Sequence, residues 1–318
     1  MVRVKHGSVK DAFIYEEPSA EKMGWGVFKF TDDYSIFDYG KMPDTIPDKG
    51  AAMCLMASHN FKEIEKIGIK HHFMEMPSDR EMKVRLVRVL DPREHDLSKE
   101  KGNFLIPLEL IFRNSLPEGS SVFKRLEKGE TTIEQLGLNK MPKPGEKLSQ
   151  PILDVSTKLE EKDRYLSWDE ALKISGLTEE EFSALKKNVL KINELVTKKA
   201  DSLGLEHADG KVEFALNDKR ELMLVDVAGT LDEDRFLFNG VHLSKQVLRD
   251  YYKKLPWFEE YQKIGKQAKP PHAPEELIEI VSNMYKSVAE AWTGKKHWGA
   301  PKISEAVQAY KDYLNRQW

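Results

Sequence analysis

Two carboxylates that could bind a metal ion belong to one predicted β-hairpin. Residues 211–227 contain a segment that alternates charged and apolar side chains, a polar turn segment and an apolar return segment. A tight turn at Lys219 and Arg220 would place Glu213 directly opposite Asp226. Because like charges so placed destabilise a sheet, the pair favours a shared proton or a bound cation such as Mg²⁺, which takes carboxylates together with phosphate oxygens. A solvated outer face in another register explains the pattern equally well.

Two positively charged residues near small residues indicate phosphate contacts. Lys10 follows a turn at Gly7, where glycine lets the backbone approach a phosphate and lysine supplies charge. Arg113 ends an apolar segment, and Ser120 follows it in a Gly-Ser turn that could supply a hydroxyl and backbone N–H donors. By pattern alone, a surface turn at Lys10 and a surface ion pair at Arg113 are the favoured alternatives.

A polar loop follows the predicted strand 25–31. Residues 31–38 carry hydroxyl and carboxylate groups that suit a substrate-binding loop, and a polar turn is the alternative. His59, His71 and His72 lack the spacing of metal ligands, so we expect them to be structural or exposed.

Length and composition narrow the class of protein. A chain of 318 residues with 40% hydrophobic and 32% charged residues can bury a large core, and two domains are favoured over one. A net charge of −3 gives no argument for binding nucleic acid or an anionic membrane. No apolar run approaches the ~20 residues of a membrane helix, and the N-terminus lacks an apolar signal core. The single cysteine, Cys54, excludes an internal disulfide, so we expect a cytoplasmic protein.

Predicted elements position these residues. Ser167 and Thr178 begin capping boxes, and the helix after Thr178 should end near Gly204. A charged connector over residues 91–103 marks a domain boundary. We therefore predict three parts: a mainly β domain over residues 1–103, a central α+β domain over residues 104–255, and a helical extension over residues 256–318 that packs on the central domain.

Six segments in one order resemble the phosphoribosylaminoimidazole-succinocarboxamide synthase family, the SAICAR synthetases. The family patterns are a GKxRDxY hairpin, TDRxSAxD with PxKG, PLExxxRN with GS, PxxxxSTK, DxKxEF with DExxTPDxxRFW, and DKQxxRD. The matching segments are residues 7–13, 31–38 with 47–50, 106–114 with 119–120, 151–158, 209–214 with 226–236, and 245–250. Each pattern alone is weak, whereas six in order are specific.

The resemblance implies an α+β fold of two domains, similar to ATP-grasp proteins, with a nucleotide cleft between the domains and C-terminal helices. It implies ATP-dependent ligation of L-aspartate to the carboxylate of carboxyaminoimidazole ribotide (CAIR), which gives SAICAR, ADP and phosphate in de novo purine biosynthesis. The expected course is phosphorylation of the CAIR carboxylate, followed by attack of the aspartate amine on the acyl phosphate. ATP and Mg²⁺ are the implied cofactors, CAIR and L-aspartate are the implied partners, and a homo-oligomer is compatible with the sequence.

The resemblance also implies roles for individual residues by position. Catalysis is expected of Lys211, Glu213 and Asp226, and the two carboxylates among them would hold Mg²⁺. Contacts with ATP are expected of the first hairpin and of a hinge segment beside adenine: Lys10, Leu105, Ile106 and Leu108. Contacts with the substrates are expected of ten residues: Asp32, Ser35, Asp38, Lys49, Arg113, Ser120, Lys158, Asp163, Arg235 and Arg249.

Within the substrate group, the family distinguishes three tasks. Arg113 and Ser120 would hold the ribotide phosphate, with Arg249 as a helper. Lys158 and Asp163, together with Lys211, would bind the CAIR ring and its carboxylate. The substrate side would be lined by the loop residues and closed by one arginine: Asp32, Ser35, Asp38, Lys49 and Arg235.

The sequence departs from the family patterns at four positions. Ser8 replaces a lysine of the first hairpin, Asp33 replaces the arginine of TDR, Val227 replaces the acid after Asp226, and Leu231 replaces a turn proline. These departures leave two alternatives open. One is a related ATP-dependent ligase or kinase with another substrate, and the other is a catalytically silent nucleotide-binding relative.

Overall fold

The computed structural model describes residues 2–317, which form a mixed α+β structure. The strands are β1 (Arg3–His6), β2 (Lys10–Glu16), β3 (Gly24–Phe30), β4 (Asp33–Ile36), β5 (Gly40–Thr45), β6 (Phe73–Ser78), β7 (Glu81–Leu86), β8 (Phe104–Leu105), β9 (Leu108–Ser115), β10 (Lys147–Thr157), β11 (Glu206–Leu216), β12 (Leu222–Val225), β13 (Arg235–Phe238) and β14 (Val241–His242). The helices are α1 (Lys49–Lys66), α2 (Ser121–Glu127), α3 (Trp168–Ser175), α4 (Glu179–Ser202), α5 (Gln246–Lys253), α6 (Pro256–Ile264), α7 (Glu275–Thr293) and α8 (Ile303–Gln317). None of the helices in the described part of the chain is both long and apolar enough to cross a membrane.

The N-terminal residues form an antiparallel sheet in the order β1-β2-β3-β7-β6. Its first turn depends on Gly7, whose amide donates to the Lys10 carbonyl oxygen at 3.1 Å. A Cβ at this position would lie only 2.4 Å from that oxygen, so a larger residue would displace the backbone. The turn places Lys10 at the first position of β2, which confirms the predicted hairpin.

The second sheet is organised around β11. Its strand order is β10-β9-β11-β13-β14, and β8 and β12 pair with the C-terminal part of β11. Helix α4 packs on β9 and β11. Val212 and Phe214 lie in the core, so Lys211 and Glu213, which alternate with them, face the opposite side of the strand.

The predicted β11–β12 hairpin exists, but its predicted register is wrong by one residue. Glu213 pairs with Val225 rather than with Asp226. The loop is longer than the expected tight turn: the Arg220 amide donates to the Asn217 carbonyl at 3.0 Å, and Arg220 itself has a positive φ of 59°. A type I turn followed by a left-handed residue is a common hairpin loop, and its extra residue shifts the pairing.

Both predicted capping boxes are confirmed. At Ser167 and at Thr178 the cap side chain accepts from the backbone amide three residues later, and the glutamate there accepts from the amide of the cap. Helix α4 ends at Ser202, close to the predicted stop at Gly204, which has a positive φ of 71°. Local signals therefore fix both ends of the helix that covers β11.

The C-terminal helices join the N-terminal part of the molecule. Helix α7 packs on α1, and α8 packs on α7 and β13. The Trp292 indole N–H donates to the Asn60 side-chain oxygen at 2.7 Å. Phe61, Phe214 and Trp292 belong to one continuous core, although they come from the three predicted parts. The division of the chain at residues 103 and 255 stays a prediction.

Candidate active site

A cavity of about 270 Å³ is lined by residues from both large sheets. Its apolar lining residues are Phe28, Leu86, Val87, Val89, Leu105 and Val225. Its polar and charged lining residues are His72, Arg85, Lys158, Glu213 and Asp226. An apolar wall beside charged side chains suits a nucleotide, which combines an apolar base face with charged phosphates.

Glu213 and Asp226 line this cavity together despite the shifted register. In a regular strand Asp226 would point away from Glu213, because it follows Val225, the residue that pairs with Glu213. The chain instead leaves the strand conformation at Asp226, which has a positive φ of 61°. Such strain in a non-glycine residue is often found at functional sites. Burial and the Asp226 charge raise the pKa of Glu213 to about 7, although Lys158 opposes this change.

Asp226 is held from two sides. Burial disfavours its charge, but an ion pair with Lys10 outweighs burial and lowers the pKa of the Asp226 carboxyl. His72 Nε2 lies 2.9 Å from the Asp226 carbonyl oxygen. Because burial lowers the pKa of His72 to about 4, its neutral ring donates this hydrogen bond at neutral pH. His72 is therefore structural, as expected, and also lines the cavity.

Glu109 connects the two lysines of the predicted site. Lys158 Nζ lies 2.5 Å from Glu213 and 3.1 Å from Glu109. Lys211 Nζ lies 2.9 Å from Glu109 and 3.4 Å from Glu233. Burial alone would raise the pKa of Glu109, but the two ammonium groups outweigh burial and lower it. This alternation of charges directs both lysines towards the face that carries Glu213.

Arginine side chains collect next to this network. Arg113, only 4% exposed, places Nη1 at 3.3 Å from Asp209 and Nη2 at 3.5 Å from Asp154. Arg235 Nε lies 2.6 Å from the other oxygen of Asp209. Burial and then the charge of Arg235 lower the pKa of Arg249, whose buried Nε has no hydrogen-bond partner among the described residues. The three guanidinium groups carry more positive charge than the carboxylates beside them neutralise, and Arg249 Nε keeps a donor that no described residue uses. This arrangement favours the binding of an anion.

The two serines that follow Gly119 make different contacts. The Ser120 hydroxyl caps α2 by accepting from the Val122 amide at 3.4 Å. The Ser121 hydroxyl lies 2.7 Å from the Tyr165 hydroxyl and 3.4 Å from Arg113 Nη2. Ser120 was predicted to contact the phosphate, but the serine that contacts Arg113 is its neighbour, Ser121.

Asp32 holds the start of helix α1. Its carboxylate accepts from the backbone amides of Asp48 at 3.3 Å and Gly50 at 2.9 Å. Arg80 Nη1 donates to the same carboxylate at 2.6 Å. The family pattern has an arginine at the position of Asp33, whereas in this chain a guanidinium reaches Asp32 from Arg80 in the β6–β7 turn. The Asp33 carboxylate itself pairs with a lysine of β5.

Three other predicted substrate residues lie around this loop. Ser35 stands on β4, which pairs with β5, and Asp38 is exposed in the turn between them. Partial burial, the charge of Glu109 and, more weakly, that of Asp38 raise the pKa of Asp163. Asp163 is therefore within electrostatic range both of Asp38 and of Glu109.

Lys49 differs from the other predicted substrate residues because it is only 1% exposed. Its ammonium group lies 2.5 Å from Asp232, whose other oxygen lies 3.5 Å from the Lys245 ammonium. Burial lowers the pKa of Lys49, although Asp232 stabilises its charge. The ion pair ties the start of α1 to the segment that follows Asp226.

The predicted hinge segment lies between β8 and β9. Leu105 lines the cavity, whereas the side chains of Ile106 and Leu108 are completely buried in the core. The Ile106 amide already donates to the Phe214 carbonyl at 3.0 Å. Pro107, which has no N–H group, separates the two strands. Ile106 and Leu108 are 0% exposed with their backbone included, and the Leu108 amide donates to the Ile106 carbonyl at 2.8 Å, so of the three predicted hinge residues only Leu105 lines the cavity.

Sequence reasoning named the lysines and arginines of the site but not the residues that orient them. Glu109, Asp209, Glu233 and Tyr165 were not among the candidates. A usable signal existed for Glu109, which stands in an otherwise apolar segment, because a buried carboxylate is rare unless it is paired. Glu233 and Tyr165 stand in polar segments that carry no such signal.

The carboxylate pair does not form a complete metal site by itself. Among residues 2–317 there is no group of three or more His, Cys, Asp or Glu side chains arranged to hold a metal ion. Two carboxylates with oxygen donors still match the partial protein ligation that is usual for Mg²⁺, since phosphates and water complete its coordination.

Comparison with known proteins agrees with these features. The family model described as SAICAR synthetase matches residues 3–267. The phosphoribosylaminoimidazole-succinocarboxamide synthase of Thermoplasma acidophilum is 38% identical, over 92% of this chain and 99% of that protein. A protein of Archaeoglobus fulgidus that carries the same name provisionally is 45% identical, over 97% of this chain and 99% of that protein.

Solved structures show the same fold. The SAICAR synthase of Saccharomyces cerevisiae, in complex with SAICAR, aligns with a TM-score of 0.70 at 22% identity, over 93% of this chain and 96% of that chain. A type-2 SAICAR synthetase in complex with ADP aligns with a TM-score of 0.64 at 22% identity, over 93% and 99% of the two chains. The match of the family model over most of the chain and the identity to full-length relatives show that this chain belongs to the SAICAR synthetase family.

Proposed function

We propose that this chain ligates L-aspartate to the carboxylate of CAIR, with ATP converted to ADP and phosphate, to give SAICAR for purine biosynthesis. Family membership supports the reaction, and so do two relatives whose structures contain SAICAR and ADP. One observation carries the proposal. A cavity with paired carboxylates lies next to an arginine cluster that includes the buried Arg113, and a lysine–glutamate network connects them.

The cavity is the proposed nucleotide site, in a cleft between two domains similar to that of ATP-grasp proteins. Phe28, Leu86 and Leu105, which line the cavity, would contact the adenine. Lys10, which pairs with the cavity residue Asp226, would contact the phosphates. Glu213 and Asp226 would hold Mg²⁺, which supplies charge neutralisation between the nucleotide phosphates. Their geometry fits a cation: Glu213 is buried and Asp226 is partly buried, the two carboxylates repel each other, and ammonium groups accompany both in this structure.

The arginine cluster is the proposed ribotide phosphate site. Arg113 and Arg249 would bind the phosphate together with the serines at the start of α2, and Arg235 would close over it. Guanidinium groups bind phosphate through paired N–H donors, and Arg249 Nε, which is buried and has no hydrogen-bond partner within residues 2–317, could donate to the phosphate.

The lysine–glutamate network lies where the two sites meet. Lys158 and Lys211 would bind the CAIR carboxylate and neutralise charge as its oxygen attacks the terminal phosphate of ATP, which gives the acyl phosphate and releases ADP. The aspartate amine then attacks the acyl carbon, and phosphate leaves. Asp163, Asp38 and the loop held by Asp32 would line the side from which L-aspartate enters. Rate enhancement would come mainly from positioning and from charge stabilisation.

ADP release with Mg-ATP, L-aspartate and CAIR, omitting each substrate in turn, tests the reaction. We expect release to require both CAIR and L-aspartate, with SAICAR formed in equal amount. Release with CAIR and a different amine would identify a related ligase, and ATP binding without release would identify a silent relative. Glu213→Gln serves as the inactive control, because it removes one proposed metal ligand while keeping the side-chain volume.

A further inference from the structure

A buried His–Asp pair lies beneath the substrate face and has no part in the chemistry described above. His207 Nε2 lies 2.8 Å from Asp234 Oδ2, and both side chains are completely shielded from solvent. The His207 ring stacks on Phe236 with 4.9 Å between ring centroids. Gly210 makes room for the pair, since a Cβ there would lie 2.3 Å from the Asp234 carboxylate.

Asp234 stands between two residues that face the substrate. Glu233 lies 3.4 Å from the Lys211 ammonium, and Arg235 Nε lies 2.6 Å from Asp209. Asp234 itself points inward, where its second oxygen accepts from the Gly229 amide at 3.1 Å. The inward anchor therefore fixes the backbone from which Glu233 and Arg235 project.

The histidine end of the pair is anchored as firmly. His207 Nδ1 lies 2.8 Å from the Thr197 hydroxyl on α4, and the Asn114 side chain donates to the His207 carbonyl at 3.1 Å. When Nε2–H donates to Asp234, Nδ1 accepts from Thr197, so both ring nitrogens are satisfied. The β11–β13 pairing shifts between His207 and Asp209, which lets these two side chains reach different partners.

We propose that His207 and Asp234 are positioning residues, which hold Arg235 against the ribotide phosphate and Glu233 against the lysine that meets the CAIR carboxylate. The inference rests on the proposed function. The nucleotide cavity is built from other residues, so loss of the pair affects CAIR and leaves ATP almost unaffected. If the pair only stabilised the fold, its loss would weaken the binding of CAIR and of ATP alike.

The test compares disruptive and conservative variants by steady-state kinetics and by calorimetric titration with CAIR. Asp234→Ala removes the anchor, and His207→Phe keeps the ring volume but removes the donor. We expect each to raise the KM and Kd for CAIR about tenfold, with the KM for ATP changed less than about twofold. Asp234→Asn and His207→Gln can keep a hydrogen bond and should stay within about threefold of the wild type. The double disruptive variant should raise the KM for CAIR by less than the product of the two single effects, because the His207–Asp234 hydrogen bond is lost in both single variants.

Ser175→Ala is the matched control, since Ser175 is buried and its hydroxyl hydrogen-bonds to the backbone of Leu172 and Leu177 rather than to the pair or its anchors. An equal rise in KM for CAIR in this control, or equal rises for CAIR and ATP in the disruptive variants, would overturn the inference. Unchanged CAIR affinity in a folded His207→Phe protein would also overturn the inference. This variant decides the test if Asp234→Ala does not fold. A wild type that binds CAIR but forms no SAICAR would overturn the proposed function alone, because the calorimetric comparison still tests the pair.

Discussion

Glu213→Gln should stabilise the fold while abolishing the ligation. Burial and Asp226 hold the pKa of Glu213 at about 7 against an ordinary value of 4.5, so the folded state disfavours its ionised form. The contribution of Glu213 to the free energy of unfolding is therefore fully present below about pH 4.5. It is lost as the pH rises from there to about 7. At about 1.4 kcal/mol for each tenfold change in equilibrium constant, the loss amounts to about 3 kcal/mol. Glutamine resembles the protonated side chain and avoids this loss.

The assay is urea unfolding of wild type and variant, followed by tryptophan fluorescence without Mg²⁺ between about pH 5 and pH 8.5. The difference in free energy of unfolding should grow from near zero at the acidic end to about 3 kcal/mol in favour of the variant. Added Mg²⁺ with an ATP analogue should stabilise the wild type more than the variant, because a ligand stabilises the state that binds it. A variant that is less stable than the wild type at about pH 8, or a difference that does not change with pH, would refute the reasoning.

Glu109→Gln is the matched comparison. Glu109 and Glu213 are 7% and 6% exposed, and both contact Lys158. Lys211 and Lys158 outweigh burial and lower the pKa of Glu109, so its ionised form stabilises the fold above its unfolded pKa, and this stability is lost as the pH falls. The glutamine variant at position 109 should therefore be destabilised near neutral pH, the opposite of the change at position 213. If the two variants changed the free energy of unfolding equally, burial alone would determine the pKa of both glutamates.

Three further predictions concern other contacts of the site. Arg113→Lys should raise the KM for CAIR about tenfold with little change for ATP in steady-state kinetics, because lysine cannot replace a paired guanidinium contact, and equal effects on both substrates would contradict this. Lys10→Ala should weaken Mg-ATP binding about tenfold in calorimetry with a non-hydrolysable analogue, and unchanged affinity would remove Lys10 from the phosphate site. Lys49→Met should lower the free energy of unfolding by about 3 kcal/mol in urea, because it leaves Asp232 buried without its nearest cation, and a neutral effect would contradict that.

The sequence by itself determined the elements that depend on neighbouring residues. The capping boxes at Ser167 and Thr178 and the turn at Gly7 were predicted correctly, because each involves contacts within a few residues of chain. The six family segments identified the family that the comparisons show. They also identified residues that the fold brings to one cavity, Glu213 and Asp226 among them.

Only the tertiary structure decided how those residues are held. The register of the central hairpin depended on a left-handed Arg220, whose conformation the sequence does not specify, and the strained Asp226 restored the carboxylate pair. Arg80 reaches Asp32 from a distant turn, and Asp234 meets His207 across two strands. Spacing along the chain carries no information about such contacts, because their partners meet only when sheets and helices pack. The sequence thus determined which charged groups the site contains, and packing decided which of them pair.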